Sequence, residues 1–245
     1  NLMPGQVLLT RQDFADHLRA QKVKETLTSL TKRKIIPVVN ENDSVSDEEI
    51  KFGDNDVLSA LLCSLTTAQM LIILSTAKGL MTHPQAGELI PFVAEISPAI
   101  EEMAKGTTSV TAVGGMITKI EAAKIATKSG CAVFIGSGEN QPDLASILAS
   151  KAEGTFFPPS GLDLNQRKKW LAFFPQPQGI IHIDQGASFA ILEKGSSLLA
   201  SGITSVDGTF CKAAIVSIID HQGTTIARGV SRFDAEELLS IKGMN

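Results

Sequence analysis

The stretch that decides the fold is Ile35-Ile-Pro-Val-Val39-Asn-Glu-Asn-Asp43. A short, nearly all-apolar run stops abruptly at a polar tetrad. A run of this length reads as a β-strand buried on both faces. The apolar runs at residues 70–74 and 132–135 repeat the pattern. Upstream, over residues 12–34, Phe14, Leu18, Leu27 and Leu30 recur at roughly helical spacing. Helical patterns also fill residues 57–65, 98–104 and 116–128. Strand alternating with helix predicts parallel βαβ units, an α/β fold with its sheet covered on both sides.

The pattern changes after Phe157. Pro158-Pro-Ser-Gly161 is turn chemistry, and Pro175-Gln-Pro-Gln-Gly179 breaks structure again. A domain boundary is expected within 158–178. Beyond it, short apolar segments at 180–183, 203–206, 214–219 and 224–230 are separated by Gly and Asp, as in a small β-barrel. Helical pieces are expected at 187–193 and 235–241. The assignment is a first domain over 1–160, a linker over 161–178 and a second domain over 179–245.

Composition narrows the function. The chain has 245 residues, 43% hydrophobic and 20% charged, which suits soluble domains with a sizeable core. A net charge of −4 argues against a protein that grips nucleic acid over its whole surface. No apolar run is long enough to cross a bilayer, so no membrane association is expected. Cys63, Cys131 and Cys211 are far apart and form no CxxC pair, which points away from zinc and from a disulfide framework. A reducing cytoplasm is the natural setting. His17, His83, His182 and His221 are scattered at no metal-like spacing. No metal site made of protein ligands is assigned.

Four clusters could carry chemistry. Asn40, Asn42 and Asp43 follow a buried strand, and ligands of open α/β sheets bind beyond the carboxyl ends of strands. Their amides and carboxylate suit a zwitterionic amino acid, although a plain polar turn would explain them as well. Asn55 and Asp56, after Gly53-Asp54, open a helical pattern. One of them serves as an N-cap, and a carboxylate there can also hold a lysine beside a phosphate. Gly114 and Gly115 run into Met116, Ile117, Thr118 and Lys119 at another helix start. Glycines admit a phosphate to free N–H groups, and a first-turn lysine can neutralise a transferring phosphoryl group. It is not a Walker loop, and glycines before a helix also serve as plain caps. Ser75 and Thr76 follow the strand at 70–74 and face the same side, or form an ordinary βα loop.

Taken together, VVNENDSV (38–45), IKFGDNDVLSALL (50–62), GGMITK (114–119), RKKWL (167–171), ILEKGSSLL (191–199) and ARGVSR (227–232) resemble the glutamate 5-kinase family, in its order and over essentially the whole chain. The resemblance implies a three-layer α/β/α amino-acid-kinase-like sandwich, present in part, followed by a small PUA-type β-barrel. It implies transfer of the ATP γ-phosphate to the side-chain carboxylate of L-glutamate, the step that opens proline synthesis, with Mg2+ accompanying ATP. Positions matching Asp43 and Asn55 contact glutamate in the family. The position matching Asp56 orients lysines, and Lys119 matches the lysine of the nucleotide loop. That loop covers Val113 to Lys119, and the dipeptide matching Ser75-Thr76 also meets nucleotide. Proline inhibits many members around the glutamate site, and a homo-oligomer is expected.

The chain departs from the family in places. Ser75-Thr76 stands where Thr-Asp is usual, and Val113 where Thr is usual. In the family a strand with Lys-x-Gly-Ser/Thr and a serine-rich glycine turn precede the position of Asn1, and a last PUA strand follows that of Asn245. The expectation is therefore a partial kinase domain, inactive by itself. Two other readings compete. PUA domains of other proteins bind RNA, but Lys194, Lys212, Arg228, Arg232 and Lys242 are balanced by acids, so weak binding or none is expected. Carbamate, aspartate and uridylate kinases share the first domain's fold, and the PUA match sets this chain apart from them.

Overall fold

The computed structural model describes residues 2–45, 55–83, 87–105, 115–139, 144–149, 151–160 and 177–244. The chain divides into two compact units, Asn1–Lys169 and Trp170–Asn245.

The first unit begins with β1 (Met3–Leu9), α1 (Gln12–Ala15), α2 (His17–Lys32) and β2 (Ile35–Glu41). The single helix expected over 12–34 is broken at Asp16. Its extended backbone ends α1, and its carboxylate accepts the Arg19 N–H at 2.9 Å as the N-cap of α2. β1 pairs with β2 in parallel, from Met3 opposite Ile35 to Leu9 opposite Glu41. β2 differs from its expected burial on both faces, because Ile36 and Val38 are about half exposed (45% and 54%). It has β1 as its single strand partner among the described residues. That pairing also explains how Pro37, which has no N–H to give, sits within a strand.

A second sheet follows the expected pattern. α3 (Asn55–Thr66), β3 (Met70–Ser75), α4 (Pro98–Lys105), α5 (Met116–Lys128), β4 (Ala132–Ser137), α6 (Leu144–Leu148) and β5 (Gly154–Phe157) complete the unit. The sheet order is β3-β4-β5, with β3 and β4 parallel and β5 antiparallel. Leu71, Ile73, Val133, Ile135 and Phe157 form one core with Ala60 of α3 and Ile120, Ala122, Ala123 and Ala126 of α5. The alanines of α5 let neighbouring backbones approach closely, so this helix is buried on several sides.

The second unit holds a four-stranded sheet of order β7-β6-β8-β9. Its elements are β6 (Gly179–Ile183), α7 (Gln185–Lys194), β7 (Ile203–Asp207), β8 (Ile215–Ile219), β9 (Thr225–Val230) and α8 (Ala235–Ile241). β6 runs parallel to β8, and the other pairs are antiparallel. Ile181, Ile183, Ile203, Phe210, Val216 and Leu238 form a separate core. Asp234 and Glu237 form a capping box at the start of α8. The α/β first unit and strand-rich second unit agree with the expected fold class.

Candidate active site

Among the described residues of the first unit, Lys119 is the one buried residue with a charged side chain. It lies in the first turn of α5 and is 8% exposed, among the apolar residues of the core. A buried ammonium needs a partner. Asp56, in the first turn of α3, supplies it: the Lys119 Nζ donates to Asp56 Oδ2 at 2.8 Å. Only 10% and 15% of the two side chains are exposed. The packing of α3 on α5 therefore joins two residues that stand 63 positions apart.

Thr118 joins the same group. Its Oγ1 lies 3.2 Å from Asp56 Oδ2 and 2.8 Å from the Gly115 carbonyl, and its single proton serves one of them at a time. Asp56 Oδ2 thus faces both an ammonium and a hydroxyl. Gly115 is the N-cap of α5 in an extended conformation and supplies no side-chain cap. An added Cβ there would meet nothing within 4 Å, so there is room at this glycine among the described residues. The N–H groups of a first turn, room at its capping glycine and a lysine in the same turn together suit an anionic ligand.

The loop after β3 flanks this helix start. The Ala77 N–H donates to Ser75 Oγ at 3.0 Å, so the Ser75 hydroxyl closes its own turn, while Thr76 is exposed. Gly79 has φ 146°, and a Cβ there would stand 2.7 Å from both Leu89 and Thr155 Oγ1. Glycine is required at that close approach. Thr155 Oγ1 accepts the Leu80 N–H at 2.8 Å and donates to the Ile90 carbonyl at 2.7 Å, fixing the loop to β5. A cavity of about 210 Å3 opens between loop and helix, lined by Lys78, Gly79, Met81, Met103 and Met116. Sequence reasoning missed Met81 and Met103, which no local pattern marks; only the packing of α4 brings Met103 there.

Asn40 is exposed at the end of β2, and the Asn42 N–H donates to the Leu9 carbonyl at 2.8 Å. Asp43 is exposed in the following turn. Asn55 is exposed beside Asp56 at the start of α3. The described hydrogen bonds and ion pairs gather Asp56, Thr118 and Lys119 but do not reach the β2 cluster. Met116 is buried and Ile117 is 47% exposed. Val113 and Gly114, with Gly53 and Asp54, lie outside the described residues, as does the basic stretch 167–170.

Comparison with known proteins fits this arrangement. Residues 1–137 match the amino acid kinase family, and residues 179–245 match the PUA domain. The chain belongs to the amino acid kinase family. More particularly, it is 44% identical to the glutamate 5-kinase of Moorella thermoacetica over 99% of this chain and 65% of that one. It is likewise 44% identical to the glutamate 5-kinase of Dictyoglomus turgidum, over 98% of this chain and 66% of that one. The chain thus spans slightly less than two thirds of these relatives' length. A solved carbamate kinase from Giardia lamblia bound to AMP-PNP overlays with a TM-score of 0.43 at 18% identity, over 56% of this chain and 49% of that chain. That score is too low to carry an argument. Among the described residues no helix is long and apolar enough to cross a membrane.

Proposed function

We propose that the protein transfers the γ-phosphate of ATP to the side-chain carboxylate of L-glutamate, giving glutamyl 5-phosphate for proline synthesis. The observation that carries this reading is the nearly buried Asp56–Lys119 pair, joined between the first turns of α3 and α5. The likeness to glutamate 5-kinases supports the choice of substrate.

The chemistry needs little else. A carboxylate is already ionised at neutral pH and attacks phosphorus without a general base. The obstacle is repulsion between two anions and their alignment. Lys119 neutralises charge on the phosphoryl group as it moves, and the first N–H groups of α5 hold its oxygens. Asp56 keeps the Lys119 Nζ at a fixed place, and Thr118 fixes Asp56. The cavity walled by Met81, Met103 and Met116 takes the flat base of the nucleotide. The family likeness makes Val113 to Lys119 and Ser75-Thr76 its further contacts. Asn40, Asn42, Asp43 and Asn55 hold the ammonium and carboxylate of the amino acid. Proline, which shares those groups, competes there.

Among the described residues no cluster of three His, Cys, Asp or Glu side chains forms a metal site. Mg2+ would arrive on the nucleotide phosphates, keeping several waters. When bound it shields the triphosphate charge. The PUA domain serves structure or regulation and binds RNA weakly or not at all. The enzyme works in the cytoplasm as a homo-oligomer.

The test uses protein expressed from its native reading frame, with ATP and hydroxylamine to trap an acyl phosphate. Hydroxamate should accumulate with L-glutamate and not with L-aspartate, carbamate or UMP. Equal product without glutamate would refute the reading. For the PUA domain, an RNA complex that is tight at low salt and lost steeply as salt rises would overturn the assignment.

A further inference from the structure

Among the described residues lining the cavity beside α5, Lys78 is the one with a charged side chain. Its backbone is held on both sides. The Ala77 N–H donates to Ser75 Oγ at 3.0 Å and the Leu80 N–H to Thr155 Oγ1 at 2.8 Å. Between them, Gly79 leaves no room for a Cβ against Leu89 and Thr155. The head of Lys78 is held far less. Its Nζ stands 3.7 Å from Glu153 Oε1, too far for a hydrogen bond, and 61% and 55% of the two side chains are exposed. Such a pair is worth little and opens readily. Lys78 therefore lends its stem to the cavity wall and keeps its ammonium in water. The phosphoryl transfer proposed for this site gives it no part.

We propose that Lys78 is a second phosphate-binding lysine of the nucleotide site, whose ammonium leaves Glu153 for the polyphosphate when ATP binds. This role rests on the methionine-walled cavity being the nucleotide site.

Charge balance calls for such a group. Lys119 is bonded to Asp56 at 2.8 Å, so that pair brings no net charge to the site. ATP carries more negative charge than Mg2+ offsets, and the N–H groups of α5 supply only partial charge. A full positive charge without a tight partner is needed, and the cavity wall holds one at Lys78. An ammonium offers three donors and no acceptor. The polyphosphate oxygens are charged acceptors, whereas adenine and ribose offer neutral ones, so the stronger bond goes to phosphate. Met116, the first residue of α5, lines the same cavity. The wall that carries Lys78 thus runs to the helix start where the phosphates are placed. Glu153 keeps the lysine nearby in the absence of nucleotide and competes with ATP for it.

The test measures binding, which does not depend on the acceptor that is phosphorylated. Protein expressed from its native reading frame is titrated calorimetrically with ATP and with adenosine, each in the presence of Mg2+. Lys78→Met should weaken ATP by about 10- to 100-fold, the usual weight of a hydrogen bond to a charged group. Adenosine binding should not change, which also shows that the cavity is intact in the variant. The affinity of the parent for ATP should fall more steeply with added KCl than that of the variant. Glu153→Gln should tighten ATP by about two- to threefold, because it removes the competitor. Unchanged ATP affinity in Lys78→Met, an equal loss for ATP and adenosine, or equal salt dependence in parent and variant would overturn the role of Lys78 and leave the nucleotide cavity standing. A parent protein that binds neither ATP nor adenosine would overturn both.

Discussion

One helix, α5, carries two ion pairs that differ in nearly every respect. Near its start, Lys119 and Asp56 are almost wholly buried, and a second donor, Thr118, contacts the same carboxylate oxygen. One and a half turns later, Lys124 bonds Glu101 of α4 with 42% and 37% of the side chains exposed. Both pairs tie α5 to a neighbouring helix. The surface pair is screened by solvent and worth little to stability. The buried pair matters more, because removing either partner takes a charge-assisted hydrogen bond from a nearly buried charge. A fold keeps such a costly feature where the charge has a use, and Lys119 lies in the first turn of α5, beside its capping glycine.

That contrast can be broken by substitution. The largest effect is expected for Asp56→Asn. Losing the carboxylate takes the nearly buried 2.8 Å ion pair from the Lys119 ammonium and should lower stability by about 3 kcal/mol, measured by urea unfolding. kcat should fall by roughly 100-fold or more, since the lysine loses its fixed place. A variant as stable as the parent would place the pair in the same class as Lys124–Glu101.

Thr118→Val comes next. It removes a hydroxyl that touches Asp56 and the Gly115 carbonyl, and should cost about 1 kcal/mol. kcat should fall further than that loss explains if Thr118 holds Asp56 in register. A change in KM for ATP with kcat intact would instead make Thr118 a nucleotide contact alone.

Lys124→Met should have the smallest effect, and its sign depends on pH. The hydrogen bond and charge of Lys124, with Lys105 and Lys128 beyond, hold the Glu101 carboxyl below its ordinary 4.5. A carboxyl depressed in the folded state stabilises above its unfolded pKa, and that contribution disappears as pH falls through the folded value. The variant should therefore be marginally less stable than the parent at pH 7, with the difference closing below pH 4.5, in thermal unfolding followed across that range. A large loss at pH 7 would mean that the surface pair matters as the buried one does.

The sequence showed the core strands plainly and the site in pieces. Ala132–Ser137 is buried along most of its length, and Met70–Ser75 is buried at alternate positions with Leu74 half exposed, and both runs read directly as core strands. Met3–Leu9 escaped notice because Pro4 and Gly5 argue against a strand, and only pairing with β2 makes it one. Gly154–Phe157 is short, and its register comes from β4. Ile35–Val39 looked like the other core runs, yet its outer residues are half exposed. Local pattern records apolar character, not which neighbour arrives to bury it.

Site residues followed the same division. Glycines before a helix and acids at a helix start are visible as local chemistry, so Asp56 and Lys119 could be picked out one by one. Their bond could not, since it depends on how α3 and α5 cross. The Thr118 contact with Asp56 and the methionine-walled cavity lie wholly in tertiary packing.

The most direct measurement of the central claim is the initial rate of glutamate-dependent hydroxamate formation by Lys119→Met, set against the parent at saturating ATP. Lys119→Met replaces the ammonium with an apolar chain of similar length. The account predicts a fall in kcat of about 1,000-fold, with glutamate KM little changed, as expected when transition-state charge loses its partner. A variant that keeps its kcat would contradict it.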